Sequence, residues 1–166
     1  AIGQTGNPGN AYISGKVTAL EAKSCGIFWN LSPVADINSN PDNPIINIRS
    51  FSDNAVEVSS FISAQITAIQ EERVIACAKH FPGHGSVKAD SHVAAAIDSR
   101  SYDEIYQKDM QSFIQLMPQL DALMPAHVIY DQVDPNPAGF SPYWIQKILR
   151  QELKFDGVLF SDDLSM

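Results

Sequence analysis

The sequence lacks any long hydrophobic run. None of its apolar segments approaches the roughly 20 residues that a transmembrane helix requires. Residues 1–10 also have neither the basic start nor the apolar stretch of a signal peptide. The sequence therefore predicts a protein with no membrane partner.

Basic residues are scarce. The 166 residues include 11 Lys and Arg against 19 Asp and Glu, which gives a formal net charge of -8. Proteins that bind nucleic acids neutralise phosphates with clustered cations, and no such cluster is present here. We therefore predict that neither DNA nor RNA is a partner.

Cysteine is also rare, with Cys25 and Cys77 as its two occurrences. The two do not form a CxxC pair, so they indicate neither a metal site nor a redox motif. We interpret both as buried free thiols, which is typical of a reducing compartment, and expect the protein to lie in the cytoplasm.

Nucleotide-binding motifs are missing as well. No Gly-x-Gly-x-x-Gly and no Gly-Lys-Ser/Thr follows a predicted strand, so the sequence gives no support for a nucleotide cofactor. What remains is 45% apolar and 18% charged, an ordinary composition for one folded globular domain.

Strand-like and helical segments alternate along the chain. Short apolar segments predict strands at 27–34, 74–78, 122–126 and 157–160. The helices between them carry recognisable start signals and apolar stripes. The first predicted helix starts at Asn10 and carries Ile13, Val17 and Leu20 on one face, and the second starts near Asp53 with a buried stripe of Val58, Ile62, Ile66 and Ile69. The third starts at the Ser101–Glu104 capping box and is buried through Tyr106, Met110, Phe113 and Met117. The fourth starts at Ser141-Pro142 and directs Ile145, Ile148 and Leu149 inward.

Strands joined by helices of this length imply right-handed crossovers and a parallel sheet. Two architectures fit this order, a doubly wound sheet and a (β/α)8 barrel. In both, chemistry lies at the carboxyl ends of the strands, and here the segments rich in His and Asp follow strands. We therefore search that edge of the sheet for a site.

All four histidines lie at or beyond strand ends. His80, His84 and His92 share one loop, and His127 follows the third predicted strand. Asp90 precedes His92 by two positions, and a carboxylate there can fix the tautomer of the imidazole and raise its pKa. Such a histidine is suited to general acid and base work.

Adjacent carboxylates, Asp162 and Asp163, follow the fourth predicted strand. Neighbouring side chains of an extended chain point to opposite sides, so one of the two can face a pocket. A carboxylate and a proton carrier across a pocket are the minimum set for hydrolysis of a glycoside.

Structural interpretations of the same residues stay open. His80 and His127 could be hydrogen-bonded core histidines, Asp90 could cap a turn, and the two terminal aspartates could begin a helix. His80, His84, Asp90 and His92 also supply atoms that bind zinc, but their spacing matches no compact zinc pattern. We therefore predict no metal and no cofactor.

Two long motifs carry a family resemblance. Residues 79–92, KHFPGHGSVKADSH, and residues 160–166, FSDDLSM, resemble the NagZ-type β-N-acetylglucosaminidases (β-hexosaminidases) of glycoside hydrolase family 3. Further similar segments are SPVAD at 32–36, RSF at 49–51, MPAHVIY at 124–130, and Pro137-Ala138 with Phe140-Ser141 and Trp144. The resemblance is specific from about residue 26 onward and looser before it.

The resemblance implies a role for each matching residue. It implies that Asp162 is the nucleophile and that Asp90 and His92 form the acid/base dyad. It further implies that the substrate-binding residues are Lys79, His80, Arg49 and His127. The substrate class is then a carbohydrate that ends in β-linked N-acetylglucosamine, such as a muropeptide from cell-wall recycling or a chitooligosaccharide.

The resemblance also implies a (β/α)8 barrel, of which this chain would contain about four β/α units. A complete barrel typically needs about 250 residues, so we expect residues 1–166 to be a partial catalytic barrel without its first strands and its last strand. We expect such a portion to be inactive alone. Three alternatives remain: a phosphorylase on the same fold, a metal-dependent barrel hydrolase, and a catalytically silent sugar-binding homologue.

Overall fold

The structure is a computed structural model that describes residues 2–87 and 96–165. The predicted dyad residues Asp90 and His92 lie outside the described residues, so their predicted roles stay predictions.

Within the described residues, six strands form two parallel sheets. The main sheet has the order β1-β2-β4-β6, and a small second sheet pairs β3 with β5. The strands are β1 (Trp29–Asn30), β2 (Ile75–Phe81), β3 (Ile97–Asp98), β4 (Ala122–Pro125), β5 (Ile129–Tyr130) and β6 (Val158–Leu159). All three pairings of the main sheet are parallel, and each strand of that sheet falls within or overlaps one of the four predicted strands.

In the part of the chain that the structure describes, five helices precede or separate the strands. They are α1 (Pro8–Ser24), α2 (Ala55–Glu71), α3 (Tyr102–Gln107), α4 (Met110–Leu116) and α5 (Tyr143–Glu152), the last with the wider hydrogen bonding of a π-helix. Short 3-10 turns occupy Ile2–Thr5, Asn47–Arg49, Met117–Gln119 and Ala138–Phe140. Helices between successive parallel strands confirm the predicted β/α units.

Helix α2 follows its sequence pattern. Val58, Ile62, Ile66 and Ile69 are fully buried in the main core. The side chain of Asn54 caps the helix by accepting hydrogen bonds from its first free backbone N–H groups, so the helix begins at Ala55, two residues after the predicted Asp53. Branched apolar residues at helical spacing predict the buried face of α2, because they are removed from water only when that face packs against the core.

Helix α1 departs from its sequence pattern. Its cap is Asn7, not Asn10. The large apolar residues Ile13, Val17 and Leu20 are exposed, by 60%, 48% and 47%. The buried face instead consists of the small residues Ala11, Gly15 and Ala19, and it packs against α2. Small side chains let the two helix backbones approach closely, which a search for large apolar residues does not detect.

The predicted helix after Ser101 is interrupted. The capping box between Ser101 and Glu104 is present, but the helix stops at Lys108 and restarts as α4. Met110 and Phe113 are buried as predicted, whereas Tyr106 is 39% exposed. The interruption changes the phase of the helix, so Ile105 is buried in place of Tyr106.

Both cysteines are free, as predicted, but they differ in burial. Cys77 lies inside β2 and is buried, whereas Cys25 is exposed just after α1, so the prediction that both are buried is wrong for Cys25. Glycine at position 26, with a φ of +75°, turns the chain away from the helix and leaves this end in solvent.

Two groups of ion pairs join the elements. On the surface, Lys16 of α1 contacts Glu71 at 3.5 Å and Glu72 at 2.5 Å. In the interior, the Arg100 guanidinium bonds Asp98 at 2.6 Å and Asp109 at 2.7 Å. Both of these aspartates are buried, so this second group links the small sheet to the start of α4.

Among the residues that the structure describes, no helix is long and apolar enough to cross a membrane.

The contact between α1 and α2 predicts the effect of a substitution. A Cβ placed on Gly15 would lie 2.6 Å from the backbone oxygen of Gln65, which cannot move without shifting α2. We expect Gly15→Val to lower the free energy of unfolding of the full-length protein by about 1–3 kcal/mol, through overpacking. Chemical denaturation measures this, and the exposed Thr18→Ala on the same helix is the control. Equal stability of the two variants would contradict the close contact.

Candidate active site

Polar side chains gather where the strands of the main sheet end. Lys79 and His80 lie in the last part of β2, His127 follows β4, and Asp162 follows β6. Carboxyl ends of parallel strands share one edge of the sheet, so residues far apart in sequence meet there. This is the edge that the sequence pattern indicated.

A cavity of about 150 Å³ lies at this edge. It is lined by Ile45, Arg49, Lys79, His80, His84, His127 and Asp162. The structure thus brings together five residues that the sequence singled out for chemistry or binding: Arg49, Lys79, His80, His127 and Asp162. A larger cavity of about 590 Å³ beside Asn38 and Ser52 contains none of them.

The ring of His80 is held between two carboxylates. Its Nδ1 lies 2.7 Å from Oδ2 of Asp36, and its Nε2 lies 3.8 Å from Oδ2 of Asp162. Asp36 is fully buried and follows the β1 segment, in the SPVAD motif. It also accepts hydrogen bonds from the backbone N–H groups of His80, at 3.2 Å, and His84, at 2.7 Å.

The partners of Asp36 keep it ionised despite its burial. Burial alone would raise the pKa of this carboxyl. Electrostatic attraction to His80 and the hydrogen bond from its ring, together with His84, outweigh burial and hold the pKa of Asp36 below its ordinary value. A buried carboxylate with three N–H donors is therefore a fixed negative charge beside the cavity.

Two cations face the same cavity. Burial, and then the charge of Arg49, lower the pKa of Lys79, while Asp162 opposes them. Arg49 donates to the backbone oxygen of Ile45 at 3.3 Å, and both residues line the cavity. The cavity can therefore accept an anion or several hydroxyl groups.

Asp162 and Asp163 differ in their surroundings, as neighbouring residues of an extended chain should. The Asp162 side chain is 27% exposed and lines the cavity. The Asp163 carboxylate instead accepts from the backbone N–H and the hydroxyl of Ser165, at 2.9 and 2.7 Å. Of the two, Asp162 alone is among the residues that line the cavity.

His127 stands between two cavities. Its ring packs on Phe140 with the centroids 5.4 Å apart, and it lines both the polar cavity and an apolar cavity of about 190 Å³ that also reaches Asp162. Its Nε2 is buried and has no hydrogen-bond partner among the described residues. A ligand hydroxyl or amide is the kind of group that would satisfy this nitrogen.

Several contacts fix the chain between the end of β2 and Val87. A Cβ on Gly85 would lie 1.7 Å from the backbone oxygen of Ile37, so only glycine fits there. Ser86 donates to Asp109 at 2.9 Å, and Tyr130 donates to the backbone oxygen of Gly83 at 2.8 Å. These contacts set the point from which the chain continues toward the predicted Asp90–His92 pair.

Within residues 2–87 and 96–165, no group of three or more His, Cys, Asp or Glu side chains is arranged to hold a metal ion. His80 and His84 are close, with their rings 5.8 Å apart, but Asp36 uses its oxygens on their N–H groups. The other two residues of the possible zinc set, Asp90 and His92, lie outside the described residues.

Sequence reasoning assigned no role to Asp36 or to His84, although both help to form the site. Asp36 was visible as part of the SPVAD segment, and its position after a strand on the active edge was the available signal. Its partner His80 is 44 positions away, and no local pattern reports a contact of that separation.

Parallel β/α units with a polar site at the carboxyl ends of the strands define an α/β domain of either the doubly wound or the (β/α)8-barrel class. The family model described as the Glycosyl hydrolase family 3 N terminal domain matches residues 1–166, and the chain belongs to this family. The barrel, not the doubly wound sheet, is therefore the fold to which these units belong, as the resemblance implied.

The chain is also similar to individual curated proteins and solved structures. A curated Beta-hexosaminidase from Shewanella frigidimarina is 49% identical over 154 residues, which cover 92% of this chain and 45% of that protein. NagZ from Neisseria gonorrhoeae, solved in complex with N-trifluoroacetyl-D-glucosamine, is 40% identical with a TM-score of 0.91, over 99% of this chain and 51% of that one. A structure of the beta-glucoside phosphorylase BglX bound to 2FGlc is 26% identical with a TM-score of 0.95, over 99% and 32%. The chain spans about half the length of the curated relatives it matches.

The burial of His84 predicts a pH dependence of stability. Burial lowers the pKa of His84, and Asp36 only partly opposes this. As the pH falls below about 6.5, the unfolded chain therefore binds a proton at this residue before the folded protein does, and stability falls. We expect a loss of up to about 1.4 kcal/mol per pH unit from this group.

Denaturation of the full-length protein between pH 7 and pH 5 measures this slope. In His84→Gln, which cannot titrate, the slope should be smaller than in the unsubstituted protein. Parallel slopes for the two proteins would show that His84 does not cause the dependence.

Proposed function

We propose that the whole enzyme containing this chain is a retaining β-N-acetylglucosaminidase that removes terminal, non-reducing β-linked N-acetylglucosamine. The observation that carries this proposal is the single cavity in which Asp162 meets Lys79, His80, Arg49 and His127. Membership of family 3, and relatives named Beta-hexosaminidase and NagZ, support the same substrate class.

In the first step, an ionised Asp162 attacks the anomeric carbon of the sugar. A bond forms between its carboxylate oxygen and that carbon while the bond to the leaving oxygen breaks. His92, as an imidazolium oriented by Asp90, gives its proton to the leaving oxygen. The product of this step is a covalent glycosyl-aspartate, and the leaving group departs as a neutral alcohol.

In the second step, water releases the sugar. His92, now neutral, takes a proton from the water as the water oxygen attacks the anomeric carbon. The bond to Asp162 breaks and its carboxylate is restored. Two inversions at the same carbon give retention of configuration.

The cations and histidines of the cavity bind the sugar. Lys79 and Arg49 present N–H donors, which suit the lone pairs of hydroxyl oxygens. His80 presents Nε2 at 3.8 Å from Asp162, and His127 lines the same cavity as Asp162. We assign all four to substrate binding, with peptidoglycan fragments in a bacterial cytoplasm, or chitooligosaccharides, as the source of the substrate.

Trapping of the nucleophile tests this proposal. A 5-fluoro derivative of N-acetylglucosaminyl fluoride should form a stable adduct with the full-length enzyme. Its ring fluorine slows the release of the sugar, while its good fluoride leaving group keeps the first step fast enough for the adduct to accumulate. Mass spectrometry of the digested enzyme should locate the adduct on Asp162. In Asp162→Ala the adduct should be absent and kcat should fall by about 1,000-fold or more.

Asp163→Ala is the matched control, since it removes the neighbouring carboxylate, which bonds Ser165. It should keep both the adduct and most of the activity. An adduct on Asp163, or a loss of trapping in Asp163→Ala but not in Asp162→Ala, would show that our proposal assigns the nucleophile to the wrong carboxylate.

Phosphorolysis is the second candidate function. The two cations Arg49 and Lys79 beside Asp162 favour an incoming anion, and a neutral His92 would repel phosphate less than a carboxylate base would. The structural similarity to a beta-glucoside phosphorylase is compatible with this reaction.

A panel of nitrophenyl glycosides, with and without inorganic phosphate, separates the two candidates. We expect the N-acetyl-β-glucosaminide to be cleaved fastest, to give free N-acetylglucosamine, and to be cleaved at the same rate without phosphate and with EDTA. Sugar 1-phosphate as the main product would favour the phosphorylase. Loss of turnover in EDTA would favour a metal-dependent hydrolase.

A further inference from the structure

The orientation of His80 depends on the buried carboxylate of Asp36. Of the two ring nitrogens, Nδ1 contacts Asp36 and Nε2 faces Asp162. An ionised carboxylate can only accept hydrogen bonds, so the nitrogen that contacts Asp36 must carry the proton. In the neutral ring, Nε2 is then left with a lone pair directed toward the cavity.

The contacts of Asp36 leave this ring little freedom to rotate. The same carboxylate accepts hydrogen bonds from the backbone N–H of His80 and from the backbone N–H of His84, so it fixes the backbone at both residues. The backbone of Asp36 is fixed too. Its carbonyl oxygen accepts from the Ser50 hydroxyl at 2.7 Å.

We propose that Asp36 is the positioning residue of the site: it fixes His80 as the Nδ1–H tautomer, so that Nε2 accepts a hydrogen bond from a hydroxyl of the sugar bound beside Asp162. The part of this inference that concerns the sugar rests on the proposed function. The part that concerns the tautomer rests only on the geometry around Asp36.

The neutral tautomer also suits the neighbouring nucleophile. An Nε2–H group pointing into the cavity would have Asp162 Oδ2, 3.8 Å away, as a competing acceptor, and would draw charge from that carboxylate. A lone pair at Nε2 instead binds the hydroxyl proton of the substrate and leaves the Asp162 charge available for attack. The buried Asp36 thus acts on the reaction through His80, without touching the substrate.

The substitution Asp36→Asn keeps the shape of the side chain but replaces one acceptor oxygen with an NH2 donor. Either the His80 Nδ1 or the His84 N–H must then face a donor. If the NH2 faces His80, the ring must accept at Nδ1, and its proton moves to Nε2.

Nitrogen-15 NMR of the histidines in the full-length enzyme tests the tautomer directly. The signal of His80 is assigned by its absence in His80→Gln, and the two-bond proton–nitrogen pattern identifies which nitrogen carries the proton in the neutral ring. We expect the Nδ1–H tautomer in the unsubstituted enzyme. An Nε2–H tautomer would overturn the inference, and this measurement does not require the Asp36 variant to fold.

Kinetics test the consequence. With nitrophenyl N-acetyl-β-glucosaminide, Asp36→Asn should lower kcat/KM by about 10- to 100-fold, the range for a hydrogen bond to a charged group, and should move or broaden the acid limb of the pH profile. The control is Ser112→Ala, which removes a buried 2.7 Å hydrogen bond to the backbone oxygen of Ala35 and leaves the carboxylate in place.

Ser112→Ala should cost stability but retain the pH profile and the tautomer. If Asp36→Asn changes kcat/KM and the pH profile no more than Ser112→Ala does, Asp36 has a purely structural role and the inference fails. The two proposals fail separately. Absence of any N-acetylglucosaminidase turnover in the unsubstituted enzyme contradicts the proposed function, whereas the tautomer of His80 decides the inference about Asp36.

Discussion

The buried carboxylate of Asp36 is the constraint on which the geometry of the site depends. A charge in the interior is costly unless N–H groups surround it, and here three of them do, all from the segment that ends β2. Satisfying this one charge fixes the backbone at His80 and His84 and the ring of His80. The direction of β2 beyond the sheet edge, and thereby the floor of the cavity, follows from that requirement.

Around this fixed charge, the sheet supplies the remaining groups at little cost. Parallel strands end at one edge, so Lys79, His127 and Asp162 reach the same cavity from three different strand ends. The fold positions them, and the residues around the cavity determine its charge.

Sequence reasoning succeeded where local pattern and burial agree. The α2 stripe of Val58, Ile62, Ile66 and Ile69 is buried in full, because branched apolar residues at helical spacing have one favourable environment. The four strands of the main sheet were also recognisable, since each is a short apolar segment between polar ones. The gathering of Arg49 with the histidines and Asp162 was expected from the family resemblance, and their roles stay predictions.

It failed where long-range contacts decide. In α1, the contact with α2 selects Gly15 and its small neighbours, so the large apolar residues that dominate the local pattern lie outside. In the site, the importance of Asp36 comes from a partner that only the folded sheet brings near. Neither fact is encoded in the spacing of nearby residues, and the predicted acid/base pair Asp90–His92 lies outside the described residues.

The two groups of ion pairs divide the molecule by its response to ionic strength. Lys16 and its glutamates are partly exposed, so dissolved salt screens their attraction between α1 and α2. Arg100 is paired with two carboxylates that solvent barely reaches, and mobile ions penetrate there far less. A change in salt therefore acts on the contact between α1 and α2, while the buried pairs of Arg100 that join the small sheet to α4 are little affected.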